Sequence, residues 1–351
     1  EDVRRSLIAK ALIRQERHRY VPFGNAFAVF VEERRDEHSA ADSSTLVEPT
    51  TSTDLTGKRL GNYRVLAALG QGGMAKVYKG YQPLLDRYVA LKVLAPHFAT
   101  DEEFRARFQR EAAAIARLRH TNVVQVYDFG VEGPVHYMVM EYIAGDTLKS
   151  RIRMARARGE RLARAEVLTI LRGVAAALDY AHERDIIHRD VKPANIMLRV
   201  EETGLHADQA DGDSAGLDRD VSPFIPVLTD FGVAKIMEGV QFTGTGMTIG
   251  TPDYMAPEQG SGSPVTPKAD LYSLGVILYE MLTGDLPFTA DTPVAVLLKH
   301  IADTPPPVHL RAPGLPANLD RVLGRALAKK PEDRYPNGAA LSAAVEAAWL
   351  P

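Results

Sequence analysis

The stretch Ile187-His188-Arg189-Asp190-Val191-Lys192-Pro193-Ala194-Asn195 constrains this chain more than any other. It gathers a base, an acid, two cations and an amide into one short loop. Taken alone it is also what a loop with capped turns contains, so its weight rests on partners elsewhere in the chain. With 351 residues, 45% of them hydrophobic, the chain can bury one large core or two adjoining ones. A formal net charge of −3 supplies no global basic field for nucleic acid or an anionic membrane. The absence of cysteine excludes disulfides, thiolate metal sites and cysteine nucleophiles. No apolar run approaches the ~18 residues that span a bilayer, and no signal peptide is evident. The chain begins at Glu1 rather than Met, which reads as a piece of a longer protein.

Residues 1–20 have Val3, Leu7, Ile8, Ala11 and Leu12 at helical spacing among arginines, and a helix is expected there. Residues 23–31 are short, apolar and strand-like; 1–38 form an N-terminal extension without a motif. Residues 39–60 are mostly small, polar and Thr-rich, and read as a linker. From 63 to 93 the pattern is strand-like, interrupted by the turn-rich Gln82-Pro83-Leu84-Leu85-Asp86. Residues 101–118 turn helical, with Phe104, Phe108, Ala112, Ile115 and Leu118 on one face. Strands follow at 123–129 and 135–142, and then a largely helical remainder: 166–182, an apolar helix within 265–284, 293–302, 319–328 and 338–349. Six arginines crowd residues 151–164 and read as a solvated helix-and-turn surface. Residues 199–225 are largely acidic, Gly/Asp-rich and without period, an insertion. Its Asp208, Asp211 and Asp213 miss the EF-hand spacing. Strands around one helix, then a helical remainder, imply an α+β chain with a small β-rich lobe beside a larger α-helical one.

Other fragments bear on the loop. Leu69-Gly70-Gln71-Gly72-Gly73 sits between two strand signals, where glycines let backbone N–H groups approach phosphate oxygens. Ala75 stands where G-x-G-x-x-G has its third glycine, and no G-x-x-x-x-G-K-[ST] is present. Val89-Ala90-Leu91-Lys92 is a strand ending in lysine, and Glu111 follows nineteen residues later (111 − 92) on the helical face. Asp230-Phe231-Gly232 offers a hard oxygen ligand, and Ala256-Pro257-Glu258 lies downstream. Each fragment is weak singly; six in this order are not coincidence.

Together they are similar to the eukaryotic-like Ser/Thr protein kinases of bacteria over about residues 62–349. The resemblance implies a bilobal fold, with the kinase domain at 61–349, a small lobe at 61–141, a large lobe at 144–349 and an activation segment at 230–258. It implies that Lys92, paired with Glu111, holds ATP phosphates, that Asp190 orients or deprotonates the substrate hydroxyl, and that Lys192 neutralises the γ-phosphate. Asn195 and Asp230 would bind Mg²⁺, or Mn²⁺ in its place. Leu69, Gly70, Gln71, Gly72 and Gly73 would cover the nucleotide. Val77, Ala90 and Met197 would sandwich the adenine, although core packing predicts the same apolar residues. Backbone groups of Glu141 and Ile143, after Met140, would meet its edge. Asp270 resembles the aspartate that anchors the catalytic loop, and Arg334 the partner of Glu258.

Thr243 and Thr245 are implied phosphosites able to engage Arg189, with Thr248 a weaker one, and Thr251 belongs to the substrate loop. The partners implied are protein substrates and a second copy for autophosphorylation in trans, with no nucleic acid. The implied location is the cytoplasm, or the cytoplasmic part of a membrane-anchored kinase. A pseudokinase scaffold and a small-molecule kinase on the same fold stay open as alternatives. One departure is that thirty-five residues separate Asn195 from Asp230 (230 − 195), more than a short hairpin needs.

Overall fold

The computed structural model describes residues 13–16, 19–22, 54–72, 75–95, 109, 112–200, 224–231 and 252–349. The helix expected over residues 1–20 is not what the described part forms. Strands β1 (Ile13–Glu16) and β2 (Arg19–Pro22) make an antiparallel hairpin instead. Arg14 and Arg19 add no helical preference strong enough to decide the matter, since tertiary pairing overrides propensity in so short a segment.

The small lobe is a six-stranded antiparallel sheet in the order β3-β4-β5-β6-β8-β7. Its strands are β3 (Arg59–Leu60), β4 (Tyr63–Gln71), β5 (Ala75–Gln82), β6 (Arg87–Leu94), β7 (Val126–Glu132) and β8 (Val135–Glu141). The expected turn at 82–86 is a single 3₁₀ turn, Pro83–Leu85, closed by Asp86 at φ 46°. Period-2 alternation divides the sheet between two cores. Val89, Leu91, Val93, Tyr137 and Val139 pack on the outer face with Tyr63, Val65 and Tyr78. Ala90, Leu94, Met138 and Met140 point the other way and join a core that runs into the large lobe. Lys92 shares the alternation of Ala90 and Leu94, which turns it toward the lobe junction.

Two expected boundaries move. The described part of the 39–60 linker is no spacer, because Leu55 and Leu60 are buried in the outer core and β3 pairs with β4. Residues 123–125 are not in β7. Val123 bridges to Leu228 and the Val124 amide donates to the Leu228 carbonyl, so the large lobe takes these residues before the strand begins.

The large lobe opens with β9 (Gly145–Thr147), helix α1 (Leu148–Ala157) and helix α2 (Arg164–His182). Thr147 caps α1 by accepting the Ser150 amide. Val167, Ile170, Leu171, Val174, Ala177 and Leu178 line the buried face of α2 at helical spacing. Strands β10 (Ile196–Val200) and β11 (Phe224–Leu228) pair with β9 in the order β11-β10-β9. Arg199 pairs with Ile225 and Val200 with Phe224, so the insertion expected at 199–225 leaves the sheet only after Val200 and rejoins at Phe224. Then come α3 (Pro257–Gly260), α4 (Pro267–Thr283), α5 (Pro293–Ala302), α6 (Val308–Arg311), α7 (Asn318–Ala326) and α8 (Gly338–Ala348). Helix α4 is buried on nearly every side and stops at Gly284, which takes φ 80°. No helix among the described residues is long and apolar enough to cross a membrane.

Two buried polar groups tie this lobe together. Arg334, 0% exposed, spends all five donors: Nη1 and Nη2 on the two Glu258 oxygens at 2.7 and 2.8 Å, the rest on the Lys268, Ala328 and Lys329 carbonyls. His300 lies on the inner face of α5 with Nδ1 2.9 Å from the Tyr272 hydroxyl and its ring against Phe288. Burial, and then the Lys329 ammonium nearby, push its imidazole down to about 4. In the unfolded chain the ordinary value of 6.5 returns. Between those values the unfolded chain holds a proton that the fold does not, so stability falls as pH is lowered from about 6.5 to about 4. The contribution lost is about 3 kcal/mol. Urea denaturation of wild type and His300→Phe at pH 7 and pH 5 checks this: the variant has the smaller loss between the two.

Candidate active site

The loop after α2 is shaped by one buried carboxylate. Asp270, in the first turn of α4, accepts the His188 amide at Oδ2 and the Arg189 amide at Oδ1, both at 2.8 Å. His182, the last residue of α2, adds Nε2 at 2.8 Å from Oδ2. Three donors on one carboxylate offset much of the cost of burying its charge. They hold Arg189 at φ 65°, a left-handed conformation that costs a non-glycine residue of order 1 kcal/mol or more.

His188 is fully buried, and burial depresses its pKa although Asp270 opposes the shift. Its neutral ring has a defined tautomer. Nδ1 accepts the Asp190 amide at 3.3 Å, so Nε2 carries the proton and donates to the Thr229 carbonyl at 2.9 Å. The ring also lies 4.6 Å from that of Phe231. Thr229 in turn gives its amide and hydroxyl to the Asn195 carbonyl at 2.8 and 3.1 Å. The loop and the segment after β11 are thereby locked into one unit.

That unit aims its charged groups at the lobe junction. Asn195 donates Nδ2 to the Asp190 carbonyl and to Oδ2, at 2.9 and 3.1 Å, which leaves its amide oxygen to face elsewhere. Lys192 Nζ is 2.8 Å from the same Asp190 oxygen. Asp230, at φ 53°, meets Lys92 Nζ of β6 through Oδ1 at 2.9 Å, across 138 positions of sequence. The pair is not sealed: the side chains are 19% exposed at Lys92 and 36% at Asp230. Burial raises the Asp230 pKa, but the Lys92 ammonium more than offsets this and holds the carboxyl below its usual range.

Around these charges lies an apolar wall. Ala90, Met140 and Ile143 are buried in the core common to both lobes, and Val77 and Met197 pack partly buried against it. Ala90 pairs with Met140 across β6 and β8, and Val77 with Gly70 across β4 and β5. Leu69, Gly70, Gln71 and Gly72 run out exposed at the tip of that hairpin, where the Gly72 amide donates to the Ala75 carbonyl at 2.8 Å. A Cβ at Gly70 meets nothing within 4 Å, so packing does not require glycine there.

The structure therefore brings Lys92, Asp190, Lys192, Asn195 and Asp230 into one region with Val77, Ala90, Met140, Glu141, Ile143 and Met197. Glu111, Gly73, Thr243, Thr245, Thr248 and Thr251 lie outside the described residues. Sequence reasoning missed His182, Thr229 and Gln259, whose Nε2 donates to the Arg189 carbonyl at 2.9 Å. Only Thr229 carried a signal, its position beside Asp230. Among the described residues no group of three or more His, Asp or Glu could hold a metal ion. The pair Asn195 and Asp230 nevertheless presents hard oxygen donors. That set suits a divalent cation that draws its other ligands from phosphate and water.

A protein kinase domain model matches residues 63–349. A probable serine/threonine-protein kinase of Clostridium acetobutylicum is 40% identical over 275 residues, covering 78% of this chain and 38% of that protein. PrkC of Bacillus subtilis is 36% identical, covering 84% and 42%, and PknB of Mycobacterium tuberculosis is 39% identical, covering 80% and 42%. The chain thus spans about two fifths of the length of these curated relatives. Among solved structures, the PknI kinase domain of Mycobacterium tuberculosis superposes with a TM-score of 0.61 at 32% identity. The match covers 83% of this chain and 98% of that one.

Asp270→Asn turns one acceptor oxygen into a donor that faces an amide N–H or His182. The expected result is a loss of about 2–4 kcal/mol in unfolding free energy. Amide exchange at His188 and Arg189 should be at least about tenfold faster. Urea denaturation and hydrogen-exchange mass spectrometry read the two effects.

Proposed function

The chain belongs to the protein kinase family, and on that premise we propose that it is a Ser/Thr protein kinase using Mg-ATP. The γ-phosphoryl would pass to Ser or Thr hydroxyls of proteins. The observation that carries the reading is the contact of Lys92 with Asp230, at 2.9 Å, beside the Asp190–Lys192–Asn195 group.

ATP binds with its adenine between Val77 and Ala90 above and Met197 below, its edge meeting backbone groups of Glu141 and Ile143 after Met140. Leu69, Gly70, Gln71, Gly72 and Gly73 cover the phosphates. Lys92, paired with Glu111, holds the α- and β-phosphates, exchanging its contact with Asp230 for them. Asn195 and Asp230 would hold Mg²⁺, which supplies charge neutralisation to the phosphates when bound; Mn²⁺ has the same oxygen preference. Asp190 accepts or orients the proton of the attacking hydroxyl. Lys192, 2.8 Å from it, neutralises charge on the moving phosphoryl. No protein group needs a covalent intermediate; positioning and charge do the work.

Thr243 and Thr245 are the proposed autophosphorylation sites, with two copies meeting in trans, and Thr251 contributes to the substrate platform. The buried Arg189 Nε has no hydrogen-bond partner among the described residues, which makes it an available donor for such a phosphate. Transfer from ATP implies that this part of the protein faces the cytoplasm.

Incubation with Mg-ATP followed by mass spectrometry tests the reading. Phosphate is expected on Thr243 or Thr245. Asp190→Asn should lower the rate about 10²- to 10⁴-fold. Lys92→Met should do so as well. No transfer by the wild type, with nucleotide still bound, means a pseudokinase scaffold; turnover only with a metabolite means a small-molecule kinase.

A further inference from the structure

Behind the segment that joins the lobes runs a chain of polar contacts that the catalytic group does not use. Glu141, the last residue of β8, receives Arg199 Nη1 of β10 on Oε1 at 2.7 Å. Arg199 also donates Nη2 to the Thr121 carbonyl at 3.3 Å. Next to this pair, the Arg87 guanidinium of β6 covers the Tyr127 ring at 3.9 Å, and both Glu141 and Arg199 act electrostatically on the Tyr127 hydroxyl. The line therefore runs from β6 in the small lobe, through β7 and β8, to β10 in the large lobe.

The same strand grips the joining segment at its other end. The Val200 amide donates to the Ala144 carbonyl at 3.2 Å, and Arg199 pairs with Gly145 across β10 and β9. Gly145 has φ 151°, and a Cβ there would come within 2.0 Å of the Leu198 carbonyl oxygen, so the approach is as close as a backbone allows. Residues 142 and 143 are thus suspended between two anchors, the Arg199 side chain at Glu141 and the Val200 backbone at Ala144. Tyr142 is steadied from the small-lobe side by Lys79, 4.4 Å from its ring centroid.

Arg199 is not needed to hold β10 in place. The strand is paired along five residues to β11 and along three to β9. Nor is the ion pair deeply buried, its side chains being 28% and 24% exposed at Arg199 and Glu141, a setting in which such pairs add little to stability. The Glu141 backbone is held on the small-lobe side by its pairing with Val89 and by its amide's bond to the Gln125 carbonyl at 2.8 Å, and what Arg199 adds is a tie from Glu141 across to β10. We infer that Arg199 is a positioning residue for the nucleotide site. Through Glu141 it sets the backbone that reads the adenine edge, and so tunes nucleotide affinity rather than the chemical step. The inference rests on the proposed ATP site.

The test combines direct binding with turnover on the chain as it stands. Mg-ADP is titrated calorimetrically, and KM for ATP and kcat are measured with a protein substrate. Arg199→Ala is expected to raise both Kd and KM about three- to fivefold, with kcat within about twofold and an unchanged melting temperature. Glu141→Ala should match it and the double variant should be no worse, the signature of one shared interaction; Arg199→Lys should recover part of the affinity. Unaltered Kd in Arg199→Ala, additive losses in the double variant, or a fall in kcat and melting temperature together would overturn the inference. If the wild type binds Mg-ADP without turnover, the kinase reading fails alone and the Kd series still decides Arg199. If the wild type binds no nucleotide, both fall.

Discussion

A single carboxylate in the middle of the large lobe organises what surrounds it. Asp270 is drawn out of water by α4, a helix too apolar to sit anywhere but the interior, and its charge must be satisfied on the spot. The donors that satisfy it are the His188 and Arg189 amides and the His182 ring. The requirement to neutralise a buried charge therefore dictates the course of a loop, and holds Arg189 in a backbone state it would not otherwise choose. From there the order propagates by contact: His188 to Thr229 and Phe231, Thr229 to Asn195, and Asp230 to Lys92 in the other lobe.

Two kinds of charged pair result, and they behave differently. Arg334 and Glu258 are sealed, and every guanidinium donor has an acceptor. Removing one member strands the other, so such a pair acts as a fixed joint. Lys92–Asp230 and Lys192–Asp190 stand partly open to water. Their lysines are neutralised without being sealed in, and on the proposed function each trades its carboxylate for a phosphate oxygen. A rigid base beneath a set of exchangeable pairs is what electrostatic preorganisation needs.

Much of this was legible in the residues. The spacing of His188, Asp190, Lys192, Asn195 and Asp230 pointed to one site, and the strand signal at 89–92 placed Lys92 on β6, although the strand runs on to Leu94. Periodicity found α2, α4 and α5 to within a few residues. What escaped was decided by distant partners. Leu55 and Leu60 look like part of a polar linker until the outer core of the sheet is present to bury them. Residues 123–125 have strand-forming composition, yet the Val123 and Val124 amides bond to 120 and 228, and only the Gln125 carbonyl reaches β8, at the Glu141 amide. In sequence Arg199 and Val200 read as the start of the acidic insertion, and only their register with Ile225 and Phe224 assigns them to a strand. The hairpin of β1 and β2 lies after Leu12, the last residue at helical spacing, and no period supports carrying the helix on to residue 20. Thr229, Gln259 and Arg199 act through hydrogen bonds to groups distant in sequence, and no local pattern encodes those.

The core that crosses the lobe junction has a further implication. Ala90, Met140 and Ile143 line the proposed adenine wall and are also members of the packed interior that reaches down to α2 and α8. Reshaping that wall to accept a bulkier or smaller ligand would disturb close packing at the same stroke. Selection on ligand preference and selection on folding are therefore bound to the same few side chains, and the room for drift at these positions is narrow on both counts.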